Sequence, residues 1–588
     1  MAAGGELGRD VIKHFNGNLF ADAAVLDLTR EEIERVAAAA ALEWNTVDAS
    51  IFGTLFTRGI DPQQRSQLGA QYTGRTDIET IVEPVVMTPL RREWAEVRAK
   101  ADALLATEMK VGQASRLSTI EEGTGKMPVL PYKPVSAAAL KKNRAAAEKL
   151  LTAFLERLKR VRVLDGAGGS GNFLYVTLQK LLDLEKEVND YLAAHGFTPL
   201  FPQVNPSQLY LIEINTYAHS LAQVTVQIGY IQWLRVHGYG FPAEPILLRL
   251  DKNFLLADAL FTDWPEVDFI VSNPPFLGDK MMRGQLGDDY VEKLRALFKD
   301  AVPGGADLCC YWFEKARAHI QACKVKRAGL LATQNIRGGA SREVLKRIKE
   351  SGDIFFGVSD RDWILDGASV HVSLIGFDDG SEKSKLLNGQ AVATIHANLS
   401  SAADTTQANR LPANVSTGFI GSCKGGPFDI DEAEAIHLLQ SAGNPHGRPN
   451  SDLVRPVVNS DELMMRRPQR WIIDNANRNL DEACLYEAPH GIVRARVKPK
   501  RDENRDRWLR ENWWRPQRMR PEMREAIRGL ERFLVTPTTS KHRIFGWLAY
   551  PTLPDHKLVV FARSDDYFFG LVQNRVHETW ARIQGTQL

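Results

Sequence analysis

Asp268-Phe269-Ile270-Val271-Ser272-Asn273-Pro274-Pro275-Phe276 is the stretch on which the fold turns. Phe269, Ile270 and Val271 form a short apolar, β-rich run, and the two prolines after Asn273 can neither extend a strand nor donate to one. The reading is a buried strand that ends abruptly in a stiff loop. The carboxyl end of such a strand is where open parallel sheets keep their ligands. Asn273 can accept a hydrogen bond from an amino group, Pro274 and Pro275 hold their carbonyls outward, and Phe276 offers a face to a flat ring. A proline-rich turn that merely caps a core strand would look the same in isolation, so the weight falls on the rest of the chain.

Upstream, Val161-Arg162-Val163-Leu164-Asp165 reads as a strand that delivers Gly166-Ala167-Gly168-Gly169-Ser170-Gly171 and then a helix through Phe173, Leu174 and Val176. Glycines in this loop let the backbone turn tightly and bare its amides beside a helix amino terminus, which suits a nucleotide-like ligand. Gly166, Gly168 and Gly171 also satisfy the dinucleotide fingerprint, so an NAD(P)-dependent oxidoreductase competes at this point. Further strands end in Glu213, placed for a ribose, and in the neighbourhood of Asp258. Asp165, Glu213, Asp258 and Asn273, separated by helices, describe one groove along the top of a parallel sheet. After it come a helix through Cys310 and Trp312, the strand Ala328 to Thr333, a helix from Ser341, and a hairpin of Ile354–Val358 with Val370–Ile375. The expected class is α/β with a doubly wound, Rossmann-like sheet.

Other segments bound this reading. Residues 1 to about 60 are expected to be helical, with Thr29 and Glu32 as a capping box, and 111–134 to be an inserted flexible loop. Gly123-Thr124-Gly125-Lys126 is not a P-loop, because Met127 replaces the magnesium-binding hydroxyl and Ile120 the first glycine. The 588 residues suit several domains and carry five cysteines without a Cys-x-x-Cys pair, so a zinc ribbon or disulfide framework is not indicated; reduced, mostly buried thiols, a cytoplasmic location and no metal are expected. No apolar run approaches membrane-spanning length. The net charge of +2 hides a basic segment, Arg494 to Arg528, with 13 Lys and Arg against 6 Asp and Glu. Trp508, Trp513 and Trp514 lie within it, and Arg494, Arg496, Lys498, Lys500, Arg501, Arg515, Arg518 and Arg520 are the expected contacts to a polyanion. A solvated Arg-rich surface over buried tryptophans is the bland alternative.

Taken together, the Gln71-Tyr72-Thr73 loop, Asp165 to Leu174, Glu213-Ile214-Asn215, Ser272 to Gly278 and Trp363 to Phe377 resemble the amino-methyltransferases of DNA, specifically the type IIL (MmeI-like) restriction-modification family. The resemblance implies a class I methyltransferase that uses S-adenosylmethionine to methylate adenine N6 in double-stranded DNA, in a restriction-modification or phage-defence setting. It implies Asp165, Gly166, Gly168, Gly169 and Gly171 around the methionine part of the cofactor, Glu213 on the ribose, Asp258 near the adenine amine, and Tyr72 and Thr73 closing over it. Asn273 with Pro274, Pro275 and Phe276 would hold the flipped target base. It implies domains at 1–65 (helical spacer), 66–380 (methyltransferase) and 381–588 (partial target recognition, mixed α and β). Three departures stand out: Gly166 and Gly168 replace the family's Pro and Cys, the family's amino-terminal nuclease is missing, and relatives usually continue beyond His577-Glu578-Thr579-Trp580. A looser glycine loop and a nuclease or specificity subunit on another chain are the corresponding expectations, and a catalytically inactive DNA-binding relative is the alternative reading.

Overall fold

The structure, a computed structural model, describes residues 5–7, 10–12, 27–42, 47–48, 51, 73–118, 136–239, 250, 252–365, 368–401, 411–441, 443–465, 469–540 and 542–584. The chain divides into two compact units, Met1–Thr406 and Gln407–Leu588.

The first unit is built on a nine-stranded sheet. Its strands are β1 (Val163–Asp165), β2 (Leu209–Glu213), β3 (Phe254–Leu256), β4 (Phe269–Ser272), β5 (Arg327–Thr333), β6 (Asp353–Leu365), β7 (Ala368–Asp378), β8 (Lys385–Leu387) and β9 (Gln390–Val392). The order is β9-β8-β6-β7-β5-β4-β1-β2-β3, parallel from β5 through β3, with β7 antiparallel to both β5 and β6. From β1 the chain runs outward to β3, then crosses back to lay β4 on the other side of β1. That reversal is the switch point at which open α/β sheets bind their ligands, and it sets Asp165 beside the end of β4.

After α1 (Arg30–Ala40), which is exposed along its whole length, helices cover both faces: α2 (Arg75–Val82), α3 (Thr88–Ser118), α4 (Ala137–Lys159), α5 (Asn172–Ala194), α6 (Thr216–Val236), α7 (Asp288–Leu297), α8 (Cys309–Gln321) and α9 (Arg342–Ser351). A π-helical turn, Glu83–Met87, joins α2 to α3. Successive strand side chains go to opposite faces. Val163, Leu211, Phe269, Val271 and Leu331 join one core with α2, α4, α5 and α6. Leu164, Ile212, Ile270 and Leu330 join another with α8 and α9. Continuous apolar runs such as Phe269-Ile270-Val271 are what a parallel strand buried on both faces requires.

Four expectations need correction. Gly5–Leu7 and Asp10–Ile12 pair as short antiparallel strands where helix was expected; β-branched Val11 and Ile12 suit extended backbone. Helix α1, by contrast, has the expected Thr29–Glu32 capping box. The expected loop from Val111 is helical as far as Ser118, since no proline interrupts the chain before Pro128. The polar composition from about Asp379 to Thr417 suggests a loosely structured stretch, yet it adds β8 and β9 to the sheet edge. Of the cysteines, Cys309 and Cys310 are buried, whereas Cys323 and Cys484 are exposed and Cys423 is half-buried.

The second unit has two four-stranded sheets over separate cores. One contains β10 (Asp429–Ile430), β11 (Val454–Val458), β12 (Arg470–Ile473) and β13 (Leu553–Pro554).

Candidate active site

At the switch point, β1 and β4 run in register, Val163 with Phe269 and Leu164 with Ile270, which brings Asp165 against Ser272. Ser272 Oγ donates to Asp165 Oδ1 at 2.6 Å, and the Ala167 amide donates to the same oxygen at 3.1 Å. Asp165 Oδ2 is buried with no partner among the described residues. Burial pushes the Asp165 carboxyl up to about 7, against the pull of Ser272 and Ala167.

One residue on, Asn273 shows the same asymmetry. Its Nδ2 donates to Thr73 Oγ1 at 3.0 Å, while Oδ1 is buried and unpartnered. Thr73 lies just before α2 and is itself buried. Pro274 is buried, Pro275 and Phe276 are half-buried, and the Phe276 ring meets Trp363 edge-on with centroids 6.0 Å apart. Two acceptors on adjacent strand ends thus lack donors. A buried acceptor without a donor is costly, so both oxygens are open to a donor from a ligand or from water. Tyr72 lies outside the described residues.

Gly166, Gly168 and Gly171 are closely packed, whereas a Cβ on Gly169 would meet nothing within 4 Å. Gly168 donates to the Ile212 carbonyl at 3.2 Å, and a Cβ on it would come within 2.3 Å of Leu211 Cδ1. Trp264 lies against Gly166, and Trp312 Nε1 donates to the Gly166 carbonyl at 2.8 Å. Gly171 sits at φ +81° as the cap of α5, where a Cβ would meet the Ala222 backbone at 3.0 Å. Leu211 and Trp264 occupy the room that Cβ atoms at Gly168 and Gly166 would need.

Glu213, at the end of β2, accepts from the Gly169 amide at 2.8 Å and the Asn215 amide at 2.7 Å. Burial raises its carboxyl above the ordinary range, offset by those amides. Each carboxylate oxygen keeps a second lone pair, so two ribose hydroxyls can still be accepted. Asp258 accepts from the Leu260 amide at 2.8 Å and from Tyr290 Oη of α7 at 2.9 Å. Exposed Ile214 and Leu256 flank these acids and give the groove an apolar lip. Lys315, which burial lowers to about 8, holds the loop after β3 by donating to the carbonyls of Ala259 and Thr262.

Residues 139–388 match the family model described as the MmeI DNA-methyltransferase domain. The match takes in less than half of the chain, and it is a likeness of that segment to the MmeI DNA-methyltransferase domain. The chain is similar across 98% of its length to the type IIL restriction-modification enzyme MmeI solved in complex with DNA, at 21% identity, TM-score 0.69 and 73% of that chain, which shows a shared fold. It is 23% identical over 359 residues to DNA methyltransferase A of Bacillus subtilis (strain 168), covering 57% of this chain and 34% of that protein, so it spans about a third of this curated relative. A DrdV–DNA complex aligns over 90% of this chain and 54% of that one, at 13% identity and TM-score 0.42.

The structure brings Asp165, the glycine loop, Glu213 and Asn273 together at the carboxyl ends of the parallel strands, with Thr73 hydrogen-bonded to Asn273. Sequence reasoning missed Ser272 and Tyr290, which orient Asp165 and Asp258, and Asn172, whose Oδ1 is buried and unpartnered at the start of α5. Ser272 was legible only as the residue before Asn273, since its partner is 107 positions away.

The basic segment needs revision. Arg501 is 2% exposed, lies over Phe428 and donates to the Lys424 and Arg515 carbonyls, so it is a structural cation of the second unit, not a surface contact. Arg496 pairs with Glu434, Lys498 with Asp502, and Arg515 donates to the Arg478 and Asn477 carbonyls. Arg494, Lys500 and Arg518 are exposed without an ion pair among the described residues, and Arg520 is half-buried. Among the described residues no helix is long and apolar enough to cross a membrane.

Proposed function

We propose that this chain is a DNA methyltransferase that transfers the methyl group of S-adenosylmethionine to adenine N6 in double-stranded DNA, as part of a restriction-modification or phage-defence system. The observation that carries the reading is the pair of buried, donorless acceptors, Asp165 Oδ2 and Asn273 Oδ1, on neighbouring strand ends.

Asp165 faces an ammonium, Glu213 takes the ribose hydroxyls, and Ile214 and Leu256 line the adenine beside Asp258. S-adenosylmethionine, when bound there, supplies an electrophilic methyl group. Asn273 Oδ1 and the Pro274 carbonyl accept the two N6 hydrogens of an adenine turned out of the duplex and stacked on Phe276. Those acceptors aim the nitrogen lone pair and stabilise the positive charge that develops on it, so catalysis is orientation and electrostatics without a covalent enzyme intermediate. The departures from the family loop at Gly166 and Gly168 are matched by Leu211, Trp264 and Trp312, which favours a working cofactor site over an inactive relative. Calorimetry tests the reading: heat with S-adenosylmethionine and none with NADH supports it, and the reverse would establish an oxidoreductase.

Thr73 acts as a positioning residue. By taking the Asn273 Nδ2 hydrogen it leaves Oδ1, the acceptor, facing the base. Thr73→Val is expected to lower kcat about tenfold, the scale of one neutral hydrogen bond, with KM for DNA unchanged, and Thr73→Ser to restore it. Steady-state kinetics that show an unchanged kcat in Thr73→Val would remove this role.

The Asp165 carboxyl, raised to about 7, predicts a pH dependence. Its neutral form favours the unliganded fold, so that stability is fully present below the ordinary carboxylate pKa and lost as pH rises through about 7. Binding of an ammonium needs the ionised form, so cofactor affinity should climb from pH 6 to 8 and level off above. Titrations across that range should show the rise in the parent chain and a flat profile in Asp165→Asn.

A further inference from the structure

The second unit contains a cavity of about 540 Å3 that the methyltransferase reading does not use. Its size falls within the range of small-ligand pockets. Several of its cations are already matched: Arg448 pairs with Asp452 at 2.7 Å, Arg524 with the buried Asp474 at 2.5 Å, and Arg528 with Glu525 at 3.0 Å. Two are not. Arg455, on β11, has no hydrogen bond or ion pair among the described residues, and its Nε is buried. Arg478 has only the Tyr486 ring beneath its guanidinium, at 5.5 Å. His446, edge-on to the same tyrosine with centroids 4.5 Å apart, has both ring nitrogens buried and without partners. All three line the cavity.

We propose that this cavity is a phosphate-binding site. Two unmatched guanidiniums and an imidazole with idle nitrogens form a donor-rich, positively charged pocket, and Tyr486 is held rigid beside them because its hydroxyl donates to Asp452 at 2.8 Å. Planar guanidinium forks match phosphate oxygens two at a time, and a charge-assisted bond of this kind is what the buried, unpaired Arg455 Nε and His446 nitrogens lack. The anion comes either from the backbone of DNA or from a free nucleotide. Only the first source rests on the function proposed above.

The test uses the full chain and an Arg455→Gln/Arg478→Gln double variant, with three probes: inorganic phosphate, adenosine monophosphate, and two duplexes of unrelated sequence across a salt series. For a backbone source, the slope of log K against log salt falls by about 1.8 in the double variant, at roughly 0.9 per phosphate contact, and equally for both duplexes. For a free nucleotide, the duplex slope is unchanged, while the heat of nucleotide binding to the parent chain disappears in the variant. Because the double variant could lose its fold, thermal melting of the parent chain with and without inorganic phosphate at constant ionic strength serves as a second measurement, and a rise in Tm is expected. No response of the parent chain to phosphate or nucleotide, together with an unchanged duplex slope in a folded variant, overturns the proposal. Methyl transfer is not a readout here, so an inactive enzyme with an intact phosphate site would refute the proposed function and leave this site standing.

Discussion

Asn273→Ala should reduce methyl transfer by about a hundred- to a thousandfold, the cost of removing one preorganised group from a developing charge, while S-adenosylmethionine binding remains close to that of the parent chain. The split follows from the geometry. Asn273 spends its amide hydrogen on Thr73 and keeps a buried oxygen with no donor, so the side chain serves the target amine. The cofactor contacts assigned here come from Asp165, the glycine loop and Glu213. Single-turnover methylation together with calorimetry separates the two effects. Near-parent turnover, or loss of cofactor binding in parallel with activity, would show that Asn273 has another role.

Gly168→Cys, the change toward the family's usual loop, should destabilise the protein by about 1–3 kcal/mol, the cost of overpacking a filled core, and weaken cofactor binding with it. The Cβ would lie 2.3 Å from both Cδ1 and Cγ of Leu211, which is fully buried in the β2 strand. Pairing Gly168→Cys with Leu211→Ala should recover part of the loss, because the two side chains compete for one volume. From sequence alone the extra glycines suggested a looser loop, since glycine raises the entropy of the unfolded chain. Thermal melting and cofactor titration of the single and double variants decide between strain and looseness, and an unchanged Tm in Gly168→Cys would show that Leu211 yields freely.

The contrast between these two sites shows what could be read from the sequence. Strand β4 and its Asn-Pro-Pro-Phe terminus were legible because local chemistry alone determines them: an apolar run buried on both faces, then residues that cannot extend a strand. The glycine loop and the acids at Asp165 and Glu213 were legible for the same reason. What remained hidden depends on distant partners. Nothing near Gly168 announces Leu211, nothing near Ser272 announces Asp165, and nothing near Arg501 shows that it lies over Phe428 inside the second unit. The basic segment read as a binding surface because charge can be counted along a chain, whereas burial and pairing cannot. The short strands at Gly5–Leu7 and Asp10–Ile12 were missed because a three-residue run carries almost no periodicity.

The most direct test of the account is the identity of the methylated base. The parent chain and Asn273→Ala are incubated with unmethylated duplex DNA of mixed sequence and S-adenosylmethionine labelled in its methyl group, and the DNA is then digested to nucleosides and resolved by mass spectrometry. The account predicts label in N6-methyl-2′-deoxyadenosine with the parent chain and almost none with Asn273→Ala; label in a methylated cytosine, or equal label from both proteins, would contradict it.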